Sequence, residues 1–146
     1  MRRREFIEAL VEPFLGGDDP VFGFLSGLTL PQFFDDAQSW YWSEAVRRVE
    51  AGLVLIVGCG ARWLHRGDLL VYADLGRWEA QNRFRRKEAN NLGAANRGQA
   101  ANLQYKRAFF VDWRVADRWK RPLIDRWDFV LDTHDPQLPR LADGEA

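Results

Sequence analysis

Apolar positions along this chain follow two patterns, helical spacing in some stretches and short unbroken runs in others. Near the amino terminus, apolar residues from Phe6 to Phe14 recur three or four positions apart, which predicts an amphipathic helix. A similar stripe, which is expected to face inward, includes Trp42 and Val46 and precedes Gly52. Strong helix formers follow Arg77, and Pro122 limits a further basic stretch. These patterns predict helices over residues 5–15, 40–51, 77–88 and 113–121.

Three short apolar runs have the composition of buried strands. They read LVLIV over residues 53–57, LLVYA over residues 69–73 and FVL over residues 129–131. Helical stretches separate them, and this alternation is typical of an α/β fold with a parallel sheet. The pattern therefore predicts a small parallel sheet flanked by helices, in one domain over residues 1–136. The Pro- and acid-rich segment 137–146 is expected to be a loose tail.

Composition narrows the class of protein. The chain has 146 residues, 47% of them hydrophobic, which is enough for one domain with a substantial core. Its longest uncharged apolar run is far shorter than the roughly 20 residues of a membrane span, so we expect no membrane association. The basic start leads into an amphipathic segment rather than a signal peptide, and the one cysteine fits a reducing compartment. We therefore expect a cytoplasmic protein.

Charge is distributed unevenly although the formal net charge is zero. Residues 77–126 contain 13 basic and 5 acidic side chains, net +8, and the rest of the chain carries the opposite charge of −8. Such asymmetry indicates an anion-binding face, or a basic segment that folds against acidic ones. Both interpretations stay open at this point. Nucleic-acid binding is not predicted, because the basic half has no stacking motif of the RNA-recognition type.

The run LVLIV ends in a Gly-Cys-Gly turn, the GCG turn (residues 58–60), as a strand does before a phosphate loop. A Walker A loop is absent, because no Lys-Ser or Lys-Thr pair occurs in the chain. The dinucleotide fingerprint fails at Trp63, and the methyltransferase pattern fails at Ile56 and Arg62. The best interpretation is a strand end where glycines let the backbone turn. Cys59 is then expected to be a small buried residue rather than a nucleophile.

Other catalytic chemistries find little support. The two histidines, His65 and His134, are far apart in the sequence and suggest neither a zinc site nor a catalytic triad. Paired aspartates occur only beside turn signals, where solvated acids are expected. We predict no catalytic residue, no metal and no cofactor.

Three blocks carry a resemblance to a known family. They are FLGGDDPVFGFLSGLTLPQFFD (residues 14–35), GDLLVYADLGRWEAQNRFRRKEANNLGAANRG (residues 67–98) and YKRAFFVDWRVADRWKRPLIDRWDFVLDTHDP (residues 105–136). Together they resemble the domain that precedes the cupin in a group of long bacterial class I mannose-6-phosphate isomerase-like proteins. The layout is also similar, more distantly, to the second half of uridine-kinase-like P-loop kinases.

The resemblance implies a truncated P-loop-kinase-like remnant without its first strand and phosphate loop. In such kinases an Arg-rich helix covers the triphosphate, and residues 77–86 occupy that place in the order of elements. The isomerase chemistry belongs to the cupin, which these 146 residues do not contain. The family also often has an acid after NLGA, where this chain has Ala95.

Two functions follow as expectations. The first is a non-catalytic kinase-like module that binds a phosphorylated ligand, a nucleotide or a sugar phosphate, because guanidinium groups pair with phosphate oxygens. Its candidate residues are Asp74, Arg77, Arg83, Arg86, Asn96, Lys106, Arg107, Arg114 and Arg118. For each basic side chain in this set, the alternative interpretation is an exposed surface charge or an ion pair with a nearby acidic residue.

The second function is a structural module that forms homo-oligomers or docks on a cupin partner. This function is supported by the number of aromatic residues, which is larger than one small core can bury. Aromatic residues are enriched at protein interfaces. An active phosphotransferase would need a phosphate loop from another chain and is not favoured. Two placements test the first function: Asp74 should close its strand and face the helix that begins near Arg77, and the two basic segments should converge at the carboxyl ends of the strands.

Overall fold

The computed structural model describes residues 1–144 as a mixture of helices and short strands. The α-helices are α1 (Arg4–Val11), α2 (Asp36–Arg47), α3 (Ala61–Leu64), α4 (Arg77–Arg85), α5 (Ala101–Arg107) and α6 (Trp113–Lys120). The strands are β1 (Val71–Asp74), β2 (Phe129–Asp132) and β3 (Arg140–Asp143). Short 3-10 helices cover Glu12–Phe14, Leu30–Phe33 and Arg121–Arg126. The mixed α/β class agrees with the sequence pattern.

Within residues 1–144 the strands form one sheet in the order β1-β2-β3. β1 and β2 are parallel, with Val71 opposite Phe129 and Asp74 opposite Asp132. β2 and β3 are antiparallel, so the sheet is mixed and the expectation of a purely parallel sheet is wrong. The reason is the short connection over residues 133–139, because a parallel neighbour needs a crossover of about a dozen residues or more.

The carboxyl-terminal segment is the source of that third strand. β3 lies in the stretch for which we expected no regular structure, and Gly144 N donates to Asp128 O at 2.9 Å. All four residues of β3 are exposed, so this strand is held by its backbone pairing with β2 rather than by buried side chains. The last two residues of the predicted tail, 145 and 146, lie outside the described residues.

The predicted strand over residues 53–57 does not form in the described chain. These residues, called the apolar connector from here on, have no regular secondary structure and link α2 to α3. None of them makes a backbone hydrogen bond with another residue of the range 1–144. The composition of a strand is present, but the neighbouring strand that would define it is not.

A long helix dominates the second half of the chain. α5, a π-helical turn (Ala108–Asp112) and α6 follow one another without leaving right-handed helical geometry, and we call residues 101–120 the long helix. The sequence predicted only its second half, because the Asn-, Gly- and Ala-rich stretch before it obscures the start. The π-turn widens the helix by one residue, a distortion that occurs frequently at functional sites.

The hydrophobic core lies against the long helix and not against the sheet. Its members come from α1, from the segment around the second 3-10 helix, and from the middle of the long helix. They are Ile7, Val11, Leu28, Leu30, Phe33, Phe34, Val111 and Val115. None of the strand residues is fully buried, so the sheet occupies the margin of the molecule.

Candidate functional site

The carboxyl ends of the two parallel strands bring polar groups together. Asp74, the last residue of β1, lies opposite Asp132 at the end of β2. Lys120 of α6 donates from Nζ to Asp74 Oδ2 at 3.0 Å. Asp74 therefore closes its strand as predicted, but its carboxylate binds α6 and not the helix that begins at Arg77.

Arg83 ties α4 to this edge of the sheet. Its Nη2 donates to the backbone oxygen of Thr133 at 2.6 Å, and its Nε donates to Glu79 Oε1 at 3.1 Å. Thr133 in turn donates from its backbone N and its Oγ1 to Asp74 O, at 3.0 and 2.7 Å. The guanidinium thus fixes the residue after β2 against the end of β1.

The two basic segments meet at Asp117. Arg77 Nη2 lies 2.6 Å from Asp117 Oδ2, and Arg114 Nη2 lies 3.7 Å from the same oxygen. The Arg77 guanidinium also lies over the ring of Trp113, 5.4 Å from its centroid. The basic segments are therefore neighbours, as predicted. An anion at this point would compete with Asp117 for both arginines.

Glu79 is buried beneath two arginines of α4 and the residues that follow it. Arg86 Nη2 lies 2.7 Å from Glu79 Oε1 and 2.9 Å from Glu88 Oε2. Hydrogen bonds from Arg86, and then from Arg83, lower the pKa of Glu79 to about 2. Arg86 is accordingly part of an internal ion-pair network and does not reach the strand ends.

Lys106 and Arg118 hold a segment that has little secondary structure of its own. Lys106 Nζ donates to the backbone oxygen of Asp19. Arg118 donates from Nη1 to Leu28 O at 3.0 Å and from Nη2 to Ser26 O at 2.6 Å. Buried carbonyl groups need such partners where no helix or strand supplies them. These two bases therefore act on the fold, away from the strand ends.

Arg107 and Asn96 belong to a buried polar cluster at the π-turn. Arg107 Nη2 donates to Leu92 O at 2.7 Å, and its Nε lies 3.6 Å from Asp112 Oδ1. Asn91 Nδ2 donates to Asp112 Oδ2 at 2.6 Å, and Asn96 Nδ2 donates to Asn91 Oδ1 at 2.8 Å. Burial raises the pKa of Asp112 to about 6, and the neighbouring Arg107 opposes that rise.

The structure therefore divides the predicted ligand-binding residues into two groups. At the strand ends lie Asp74, Arg77, Arg83 and Arg114, together with Lys120, which sequence reasoning missed. Elsewhere lie Arg86, Asn96, Lys106, Arg107 and Arg118. The basic groups at the strand ends are matched by acidic ones, so this edge has no large excess of positive charge.

The apolar connector contains the three most exposed large apolar side chains among the described residues. Leu53, Leu55 and Val57 are 93%, 79% and 81% exposed, whereas Val54 is 42% exposed and Ile56 is partly buried. This alternation has the two-residue period of a β-strand. The sequence signal was present as a strand prediction, but the exposure of the segment could not be predicted from it.

Aromatic residues on α2 add to the exposed apolar surface. Trp40, Tyr41 and Trp42 are each more than half exposed, and Tyr41 packs edge-to-face on Trp42 with ring centroids 5.2 Å apart. The expectation that Trp42 points inward is therefore wrong. None of the residues of α2, which the structure describes in full, is completely buried.

Comparison with known protein families identifies the family to which the chain belongs. A family model described as "Domain of unknown function (DUF8485)" matches residues 1–146. The chain belongs to the DUF8485 family. No curated protein and no solved structure matches it.

The GCG turn of this DUF8485 protein has a structural explanation. Gly60 has a φ of 94°, and a Cβ at this position would lie 2.3 Å from the ring of Phe34. The turn leads into α3, a single helical turn, and packs against that ring. Cys59 is exposed, so the expectation that it is buried is wrong. The residue is exposed as a whole, but surrounding groups partly desolvate its thiol and raise the pKa of that thiol, which disfavours the reactive thiolate.

Metal and membrane chemistry find no structural support in the described residues. Among residues 1–144, no group of three or more His, Cys, Asp and Glu side chains could hold a metal ion. No helix in the same range has the length and apolar character needed to cross a membrane. The arrangement that remains is an ion-paired edge of the sheet and a large exposed apolar surface.

Proposed function

We propose that this DUF8485 chain is a non-catalytic assembly module that associates with a second copy of itself. The observation that carries the proposal is the exposure of the apolar connector, whose residues Leu53, Leu55 and Val57 are at least 79% exposed. Full burial of one such side chain is worth roughly 1.5–3 kcal/mol. Contiguous apolar surface of this kind marks interaction sites in folded proteins.

Charge supports a second copy as the partner. The whole chain has a formal charge of zero, whereas residues 77–126 carry net +8 and the remainder carries −8. Both copies carry segments of opposite net charge, so the basic segment of one copy can attract acidic residues of the other. Complementary charges orient two partners as they approach, and a two-fold arrangement satisfies both contacts at once.

The ion pairs of the basic half support a structural role. Arg83 and Arg86 bind Glu79, and Arg77 binds Asp117. A guanidinium group that is already paired with a carboxylate attracts an external anion less strongly, because the carboxylate offsets its charge. Their present contacts stabilise the fold that presents the apolar surface.

The oligomeric state of the purified chain tests this proposal. Sedimentation equilibrium should show a concentration-dependent dimer, and Leu55→Glu should weaken it at least about tenfold, which is about 1.4 kcal/mol. Leu138→Glu is the matched control, because Leu138 is 62% exposed and lies outside the connector. A chain that sediments as a monomer across the accessible concentrations contradicts the proposal.

Binding of a phosphorylated ligand is the second candidate function, favoured by the strand ends. Arg77, Arg114 and Lys120 lie near the carboxyl end of β1, where ligands of open α/β sheets bind. Titration with ATP and with mannose 6-phosphate should then show weak binding that decreases with salt. Arg114→Glu should abolish it, and Arg3→Glu is the control. Absence of salt-sensitive binding eliminates this candidate.

The resemblance to the domain preceding a cupin stays a hypothesis about context, as does the kinase-remnant relationship. On that hypothesis the partner is a cupin isomerase-like protein in the cytoplasm, where the single thiol of Cys59 stays reduced. A cupin encoded beside this chain, and co-purification of the two proteins, would support docking on a cupin. If the chain forms a dimer and binds no cupin, homo-association is the only one of these two assembly functions that is supported.

A further inference from the structure

We infer that the apolar connector adds a strand to the free edge of β1 in the second copy, and that each copy donates one such strand to the other. The inference rests on the proposed association and specifies its geometry. It concerns the backbone of the connector as well as its side chains.

The connector has the properties of a strand that lacks a neighbour. Its sequence, LVLIV, is rich in β-branched residues and contains neither proline nor charge. Its side chains alternate in exposure along residues 53–57. Its five backbone N–H groups and five carbonyls have no backbone partner within residues 1–144. An added strand satisfies half of these groups and buries apolar side chains at the same time.

β1 offers the matching edge. The order β1-β2-β3 leaves one side of β1 and one side of β3 without a neighbouring strand among the described residues. β3 has charged residues at both ends, Arg140 and Asp143, a composition typical of edge strands protected from pairing. β1 reads VYAD, so its first three residues carry no charge. Its four residues are one fewer than the five of the connector, so the two segments are similar in length.

A second copy is the occupant that the chain's own composition favours. Each chain carries both the unpaired segment and the free edge, so a reciprocal exchange pairs both segments with one two-fold axis. Strand addition to an exposed sheet edge is a recurring mode of recognition, with affinity from the main chain and specificity from alternate side chains. Both copies carry the basic segment 77–126 and the net acidic remainder, so the same attraction acts in both directions.

Hydrogen exchange at several protein concentrations tests the pairing. The amides of residues 53–57 and of β1 should become protected in step with the dimer fraction measured by sedimentation. A dimer whose connector amides stay unprotected overturns this inference and leaves the proposed association intact. Connector amides that are protected in the monomer show pairing within the same chain, which also overturns it. A chain that stays monomeric overturns both proposals.

A proline scan of the connector distinguishes backbone strand pairing from contact between apolar side chains alone. Only alternate N–H groups of an added strand face the strand it joins, and proline removes one N–H. Single proline substitutions at residues 54–57 should therefore weaken dimerisation at least tenfold at alternate positions and much less at the positions between. Circular dichroism and thermal unfolding of each variant establish that it folds. Equal effects at all four positions contradict strand addition.

Discussion

Basic side chains of this protein bind mainly carbonyl oxygens and carboxylates of their own chain. Arg118 donates to two backbone oxygens of the segment before the second 3-10 helix, and Arg83 joins α4 to the residue after β2. Hydrogen bonds with a charged donor are worth about 1.5–3 kcal/mol, more than neutral ones. At the scale of single residues, much of the positive charge is therefore used to hold irregular backbone in place.

Glu79 should give the protein an acid-sensitive part of its stability. Arg86 and Arg83 lower its folded pKa from 4.5 to about 2, so the stabilisation is complete above pH 4.5 and is lost as the pH falls toward 2. Urea denaturation of the wild type should show a loss between pH 4.5 and 2 that Glu79→Gln does not share. Glu5→Gln, at an exposed position of α1, is the control and should behave as the wild type.

Asp112 should have the opposite effect on stability. Burial raises its folded pKa to about 6, so the folded protein binds the proton more tightly than the unfolded chain does. This favours folding at pH 4, and the contribution falls as the pH rises toward 6. We expect the wild type to lose on the order of 1–3 kcal/mol relative to Asp112→Asn over that window. Equal pH profiles for the two proteins in chemical denaturation would contradict this prediction.

Single elements of the structure depend on contacts made outside them. The long helix contains a π-turn at the position where Arg107, Asn91 and Asp112 form a buried polar cluster. The connector shows the converse, since a run with the composition of a strand stays irregular without a neighbouring strand. The local sequence favours a particular helix or strand, but contacts with the rest of the chain determine whether that helix or strand forms.

The GCG turn provides a test at the scale of one element. Gly60→Ala should destabilise the protein by about 1–3 kcal/mol, because the residue has a φ of 94° and a Cβ would meet the Phe34 ring. Gly98→Ala is the matched control, since a Cβ at Gly98 has no neighbour within 4 Å. Thermal unfolding of both variants measures the difference. A tolerated Gly60→Ala would mean that the turn is looser than the structure indicates.

At the scale of the whole molecule, the position of the core distinguishes this protein from a doubly wound α/β fold. Three core residues are fully buried: Ile7 of α1, Phe33 of the second 3-10 helix and Val111 of the long helix. The residues of the sheet are at most partly buried. The sheet then contributes less to stability than the helical side does. The outer edge of β1 has no neighbouring strand among the described residues.

Two phenylalanine substitutions test whether the helical side of the molecule contributes more to stability than the sheet does. Phe33→Ala should cost about 3–5 kcal/mol, the usual range for a phenylalanine in a core. Phe129→Ala, in β2 and only partly buried, should cost less than half as much. Chemical denaturation of the two variants compares them directly. Equal losses would show that the sheet is as important to the core as the helices are.

Features that depend on local pattern could be predicted from the amino-acid sequence alone. Apolar periodicity correctly predicted helices in the regions of α1, α2, α4 and α6, and the apolar runs correctly predicted strands at β1 and β2. It also predicted Asp74 as the end of β1. These features arise from side chains a few positions apart, which the sequence shows directly.

The three-dimensional packing of the chain determined which groups meet when they lie far apart in the sequence. It assigned Lys120 to Asp74 and Arg118 to the carbonyls of Ser26 and Leu28. It formed β3 by pairing with β2, and it left the apolar connector exposed. The physical reason is that a hydrogen bond, an ion pair or a strand needs a partner, and the identity of a distant partner is set by how the whole chain packs.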